Sequence, residues 1–145
     1  AFGDIVFNWN SVALFMTMAR VSKSYAYRFD YAHAATRPDS FVKGQGLGAF
    51  HGAEIDFALR TCRFDVPERR AEQERLMNTL SGYWLNFART GTPNGAGLPY
   101  WPEYQVGSGK VMRFGEGAPA LDDIAFRERL VLLGRAMDNR MVEQA

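Results

Sequence analysis

Cysteine is almost missing from this sequence: Cys62 is the only one in 145 residues, so no disulfide can form within the chain and no zinc site can rest on paired cysteines. Excess charge is missing as well. The 17 basic and 16 acidic residues leave a formal net charge of +1 and are interspersed rather than blocked, so the chain has no electrostatic footprint for nucleic acid, which is not an expected partner. No run approaches the ~18 consecutive apolar residues of a membrane span, so none is expected. The opening AFGDIVFNW has neither the basic start nor the long apolar core of a secretory signal, and the compartment is left open. Internal repeats and low-complexity tracts are absent. The chain opens on Ala1 rather than methionine, as expected of a cut end.

What is present is a globular composition, 47% hydrophobic and 23% charged, suited to about one domain. VALFMTMAR, residues 12 to 20, is apolar over most of its surface and has Asn10 and Ser11 ahead of it as candidate caps, which predicts a helix buried on several sides. In SYAYRFDY, Tyr25, Tyr27, Phe29 and Tyr31 alternate against Ala26, Arg28 and Asp30, the period of a strand. Between Ala32 and Pro67 the period is lost. RPDS turns, GQGLG is flexible, and only the short run after His51 suits a helical turn.

Pro67 opens the clearest helix. PERRAEQER places a proline and an acid in its first turn, and Leu76, Met77, Leu80, Tyr83, Trp84, Phe87 and Ala88 recur at helical spacing. Gly91 then offers a left-handed stop, and Pro93 prevents resumption. The charge run ERRAEQER reads as a solvated first turn, and Tyr83, Trp84 and Phe87 read as core. LPYWPEYQ is a proline-punctuated loop in which Trp101 and Tyr104 pack, and KVMRF is a short strand. Asp122 is expected to cap a last helix with Phe126, Leu130, Leu133, Met137 and Met141 on one face.

A two-stranded sheet is marginal in water, and an irregular stretch of more than ~20 residues is rare in a compact domain unless it is functional. The expected fold class is therefore α/β, an open sheet with helices on its faces. This chain would carry about two of its strands and three main helices, and would be incomplete as a domain.

GLGAFHGAEIDFAL, residues 46 to 59, holds one of the two histidines in a glycine-rich, apolar setting with two carboxylates just beyond. An imidazole titrates near ~6.5 and can take and return a proton at neutral pH, and its placement on a loop favours function. The plain alternative is a histidine packed in a turn and satisfied by backbone hydrogen bonds. A metal reading would pair His51 with Glu54, but two ligands fall short of what a zinc site uses. GQGLG is not G-x-G-x-x-G and does not join a strand to a helix, so no nucleotide is implied. His33, in YAHAATRP, has no motif around it and reads as a surface histidine, and Asp56 as solvated or locally capping.

GAFHGAEIDFAL, then YWLNFARTGTPN, then WPEY resemble the C-terminal part of the type-B carboxylesterases, the cholinesterase-like branch of the α/β-hydrolases. GDIVFNWNSVAL, SYAYRFDY and KVMRF extend the resemblance more weakly to both ends, so residues 1–145 are expected to be one C-terminal fragment of that domain. The resemblance implies that His51 is the catalytic general base, that Glu54 and Gly52 support it, that Gly48 and Gly52 let the chain turn around it, and that Phe50 approaches an acyl or alcohol pocket. It implies a small-molecule ester as substrate, with no cofactor and no metal expected, and it leaves the C-terminal helix two roles, packing on the sheet or carrying a contact between copies in a homo-oligomer. The order in that fold is serine, acid, histidine, with the serine in a G-x-S-x-G elbow. Ser81 in LSGYW and Ser108 in VGSGK do not fit it. Nucleophile and acid are therefore expected in an N-terminal part missing from this chain, which alone is expected to be inactive. Two other readings stand beside this one: a fragment of an esterase-like binding or adhesion protein without the nucleophile, and an independent small domain that would have to hide its strand edges by association.

Overall fold

The segment from Pro67 to Gly91, with its strong period, is a helix in the computed structural model, which describes residues 7–32, 48–62, 67–125 and 127–136. In chain order the elements are α1 (Trp9–Met18), β1 (Tyr27–Phe29), α2 (Ile55–Ala58), a 3-10 turn (Pro67–Arg69) running into α3 (Arg70–Thr90), β2 (Lys110–Phe114), β3 (Ala120–Asp123) and α4 (Arg127–Ala136). The strands form a sheet in the order β1-β2-β3. The Met112 N–H donates to the Ala26 carbonyl and the Asp30 N–H to the Phe114 carbonyl, so the pairing advances in the same sense along both strands and β1 and β2 are parallel. The short 115–119 link returns β3 antiparallel to β2, and the Ile124 N–H closes on Gly109. As the central strand, β2 buries side chains of both parities, Val111 and Met112 as well as Phe114. Among the described residues this is α/β organisation, with three strands where the pattern of the sequence shows two. Among the described residues no helix is long and apolar enough to cross a membrane.

Asp122, expected as a helix cap, lies in β3 instead. ALDD has little strand propensity and stays largely exposed; pairing beside β2 and ion pairs hold it. Arg28 meets the Asp122 carboxylate at 3.0 Å and the Asp123 carbonyl at 2.8 Å, and Lys110 meets the Asp123 carboxylate at 2.7 Å. Of the face expected on α4, Leu130 is buried and Leu133 half-buried, while Phe126, Met137 and Met141 lie outside the described residues.

Two compact units emerge, one from residues 1–28, 102–112 and 121–145, the other from 29–101 and 113–120. In the first, Val12 and Met16 of α1 join Ala26, Tyr104, Val111, Ile124 and Leu130 in a core on which Trp9, Phe15 and Leu133 pack. Helix α1 begins with Asn8 at its cap position, so Asn10 and Ser11 are exposed positions inside the helix rather than its caps. Its expected burial on several sides is not found among the described residues. Only one face is covered, while Leu14 and Met18 point outward with relative exposures of 64% and 43%.

The second unit is organised by α3, which buries Gln73, Leu76, Leu80 and Tyr83 along one stripe. Gly91, at φ 75°, ends the helix by donating its N–H to Phe87, a conformation that disfavours a side chain. The expected stripe does not last to the final turn: Phe87 is 49% exposed. Tyr83 instead joins Trp101 and Phe114 at ring separations of 5.2 and 5.7 Å, with Trp84 at the margin. Asn94 holds Trp101 by accepting from its N–H at 2.7 Å and donating to its carbonyl at 2.8 Å, in the manner of a strand partner.

Burial pushes the Tyr83 hydroxyl from 10 up to about 12. Burial does the same to Tyr31, where the Arg69 charge works against the rise and Glu72 adds to it, giving about 12. Both phenols hold their proton more tightly folded than unfolded, so the stabilisation is complete below pH 10 and is lost as pH rises toward 12. Alkaline titration is expected to show these two ionising late and together with loss of helical circular dichroism. Ionisation of all six tyrosines near pH 10, with the helix signal intact, would contradict their burial.

Candidate active site

Residues 51 to 54 make a tight turn that runs directly into α2. The Ala53 N–H donates to Phe50 at 3.0 Å and the Ile55 N–H to Gly52 at 3.1 Å, so the turn is closed by backbone on either side of His51. Gly52 sits at φ 82° and Gly48 at φ 61°. A Cβ on Gly52 would meet nothing nearer than Ile55 Cδ1 at 3.5 Å, so glycine is required there by conformation rather than by space.

The inner side of the turn is anchored. Ala53 and Phe57 are buried, and the Phe57 ring packs on Phe29 at 5.7 Å and edge-on to Tyr31 at 5.6 Å. The outer side carries the exposed His51 and Phe50, with Glu54 half-buried one helical turn on. Asp56 is exposed; its carboxylate accepts from the Thr61 hydroxyl at 2.9 Å, and its backbone carbonyl accepts from the Thr61 and Cys62 N–H groups. His33 lies outside the described residues. Among those described, no group of three or more metal-ligating side chains comes together.

Two arginines, one outside any motif and one read in the sequence as part of a solvated charge run, make contacts around this segment that pattern does not foretell. Arg60, at φ 60°, reaches α3 and donates to Asn78 at 2.8 Å and Ser81 at 3.2 Å; a left-handed non-glycine residue costs roughly 1–2 kcal/mol, so its neighbours impose that conformation. Arg69 departs from the solvated charge run expected of it. It is mostly buried and ion-paired on both sides, whereas its neighbour Arg70 is 66% exposed and pairs along the helix with Glu74.

Both serines weighed against the elbow motif are engaged locally. Ser81 accepts from Arg60 and donates to the Asn78 carbonyl, and Ser108 accepts from the Lys110 N–H. A groove of about 250 Å³ in the second unit is lined by Glu72, Arg75, Leu76, Thr79 and the 115–119 turn, and neither His51 nor Phe50 borders it. What the turn offers chemically is an imidazole held outward on a backbone fixed from within.

The pattern of the Carboxylesterase family matches residues 1–131. Mouse carboxylesterase 1C is 40% identical over 116 residues, 74% of this chain and 19% of the relative, and chicken acetylcholinesterase is 36% identical over 110 residues, 72% of this chain and 14% of the relative. A solved carboxylesterase of Geobacillus stearothermophilus superposes with a TM-score of 0.58 at 31% identity, covering 79% of this chain and 22% of that one. A thermophilic PNB esterase superposes at 0.70 and 22% identity, over 90% of this chain and 26% of that one, a likeness of fold. The chain thus spans about a fifth or less of the length of these curated relatives. It belongs to the carboxylesterase family, the type-B branch of the α/β-hydrolases.

Proposed function

We propose that these residues are the C-terminal part of a serine carboxylesterase domain, that they act on small carboxylic esters, and that His51 is the general base. The single observation that carries this reading is the setting of His51: an exposed imidazole on a turn shaped by Gly52 at φ 82° and seated on the buried Phe57. In this reading the imidazole takes the proton of a serine hydroxyl as it attacks the ester carbonyl and returns it to the departing alkoxide. A second passage with water as the nucleophile releases the acid and restores the serine. A carboxylate on the other ring nitrogen would hold the tautomer, and backbone amides would stabilise the oxyanion. Serine, acid and amides come from a preceding part of the polypeptide. Glu54, half-buried one helical turn on, supports the imidazole, and Phe50, beside it, faces the acyl or alcohol group.

The test compares the full polypeptide carrying this chain with the 145-residue chain alone, using a p-nitrophenyl ester and a fluorophosphonate serine reagent. The full polypeptide is expected to turn over the ester, to lose all activity on labelling, and to carry the label on a serine outside these residues. The isolated chain is expected to do neither. Reagent-sensitive turnover by the isolated chain would overturn the division of the triad, and a full polypeptide that neither reacts nor hydrolyses would be a binding protein instead.

A further inference from the structure

Tyr31 is fully buried at the point where the chain leaves β1, and Phe57 is fully buried at the point where it has come back through the His51 turn into α2. The two rings meet edge-to-face at 5.6 Å. Departure and return of the segment that carries His51 are therefore joined by this contact, beside that of Phe57 with Phe29 at 5.7 Å.

Arg69 locks that contact from the α3 side. Its guanidinium carbon lies 4.5 Å from the centroid of the Tyr31 ring, within the range of a cation–π interaction. At the same time Nη1 donates to the Ala32 carbonyl at 3.2 Å, Nε to Glu72 at 3.2 Å, and Nη2 to Glu116 in the β2–β3 link at 3.1 Å. Glu72 also accepts from the Tyr31 hydroxyl at 3.4 Å. The guanidinium thus stacks on one ring and donates through all three of its nitrogens. A planar fork can stack and donate in three directions at once, which an ammonium on a flexible stem cannot. A surface charge run needs none of this, and a side chain with these four engagements fixes where Tyr31 and Ala32 sit.

We propose that Arg69 is a positioning residue for His51: it clamps Tyr31, Tyr31 seats Phe57, and Phe57 sets the height and tilt of the turn that presents the imidazole. This rests on the reading of His51 as the general base. Arg69 touches no substrate and acts through the aromatic seat. A displacement of about 1 Å at a reacting group can cost on the order of a hundredfold in rate, so a loosened seat should appear in turnover before it appears in substrate binding.

The experiment uses the full esterase polypeptide, a p-nitrophenyl ester, and kcat expressed per fluorophosphonate-titrated site, so that loss of folded enzyme is divided out. Arg69→Lys and Tyr31→Leu are expected to lower kcat per site by about tenfold with KM within about twofold. Tyr31→Phe keeps the ring beneath the guanidinium and should behave as the parent. If Arg69→Lys yields no titratable protein, Glu116→Gln removes one anchor at a carboxylate that is 75% exposed. It should then lower kcat per site by about two- to threefold with KM unchanged, a fraction of the full displacement effect. Parent-like kcat per site in Arg69→Lys, or in Glu116→Gln where it stands in, overturns the proposal, as does Tyr31→Phe falling as far as Tyr31→Leu. A His51→Ala enzyme that keeps its turnover would instead remove the general-base reading on which the proposal rests.

Discussion

His51→Ala, introduced into the full polypeptide, is expected on the proposed general-base role to lower kcat by roughly 10⁵-fold or more, because nucleophile and base act as a unit and losing the base costs nearly as much as losing the whole triad. A serine hydroxyl without a proton acceptor does not attack an ester at a useful rate near neutral pH. The fold should survive the change. His51 is exposed, and the turn around it is closed by the Ala53 to Phe50 and Ile55 to Gly52 backbone bonds, which an alanine leaves intact. The check is therefore paired: kcat collapses while the thermal midpoint and the circular dichroism spectrum stay with the parent. A variant that retains turnover within about tenfold would mean that another group takes the serine proton. A variant that loses activity and structure together would make His51 a packing residue, the plain alternative its sequence setting allows.

How far the sequence foretold the structure varied with how local each determinant is. Helix α3 and strand β2 were legible from local composition and punctuation, Pro67 and Gly91 bounding the helix, although the burial of α3 stops short of Phe87 and β2 is buried on both faces. Strand β3 was not legible. ALDD carries no strand signal, and its carboxylates serve Arg28 and Lys110, the first of them 94 residues away in sequence. Asn10 and Ser11 resembled caps because polar residues on the open face of an apolar helix mimic the composition of its start. Phe87 kept the helical spacing but is 49% exposed, so periodicity alone overstated its burial. At the candidate site, Asp56 and the turning role of the glycines could be read locally. His51 stood out by resemblance rather than by physics, since a lone loop histidine is ambiguous. Arg60 and Arg69 could not be found by pattern, because their partners on α3 and at Ala32 and Glu116 are distant in sequence and only the fold brings them together.

Phe114→Ala is expected to be the most damaging substitution in the second unit, at about 3–5 kcal/mol, the usual cost of removing a buried phenylalanine side chain from a core that cannot collapse around the void. Phe114 is fully buried at the end of β2. Its ring meets Trp101 at 5.4 Å, Tyr83 at 5.7 Å and Trp84 at 6.3 Å, all in edge-on arrangements worth roughly 0.5–1.5 kcal/mol each beyond their buried area. Collapse around the void is resisted from two sides, because Asn94 pins the Trp101 backbone through two hydrogen bonds and the Tyr83 hydroxyl is tied to the Pro99 carbonyl at 2.6 Å. A folded protein has only about 5–15 kcal/mol to lose, so the substitution should leave the protein marginal. Urea unfolding followed by tryptophan emission reads this directly, since Trp84 and Trp101 border the void. The midpoint should fall sharply with an unchanged denaturant dependence, and native emission should shift to the red. Phe114→Leu, which keeps most of the volume and loses the ring contacts, should lie between alanine and the parent. An alanine variant destabilised by less than about 1 kcal/mol would mean that the aromatic cluster is not the core of this unit, and that α3 is held by its stripe of Leu76, Leu80 and Tyr83 alone.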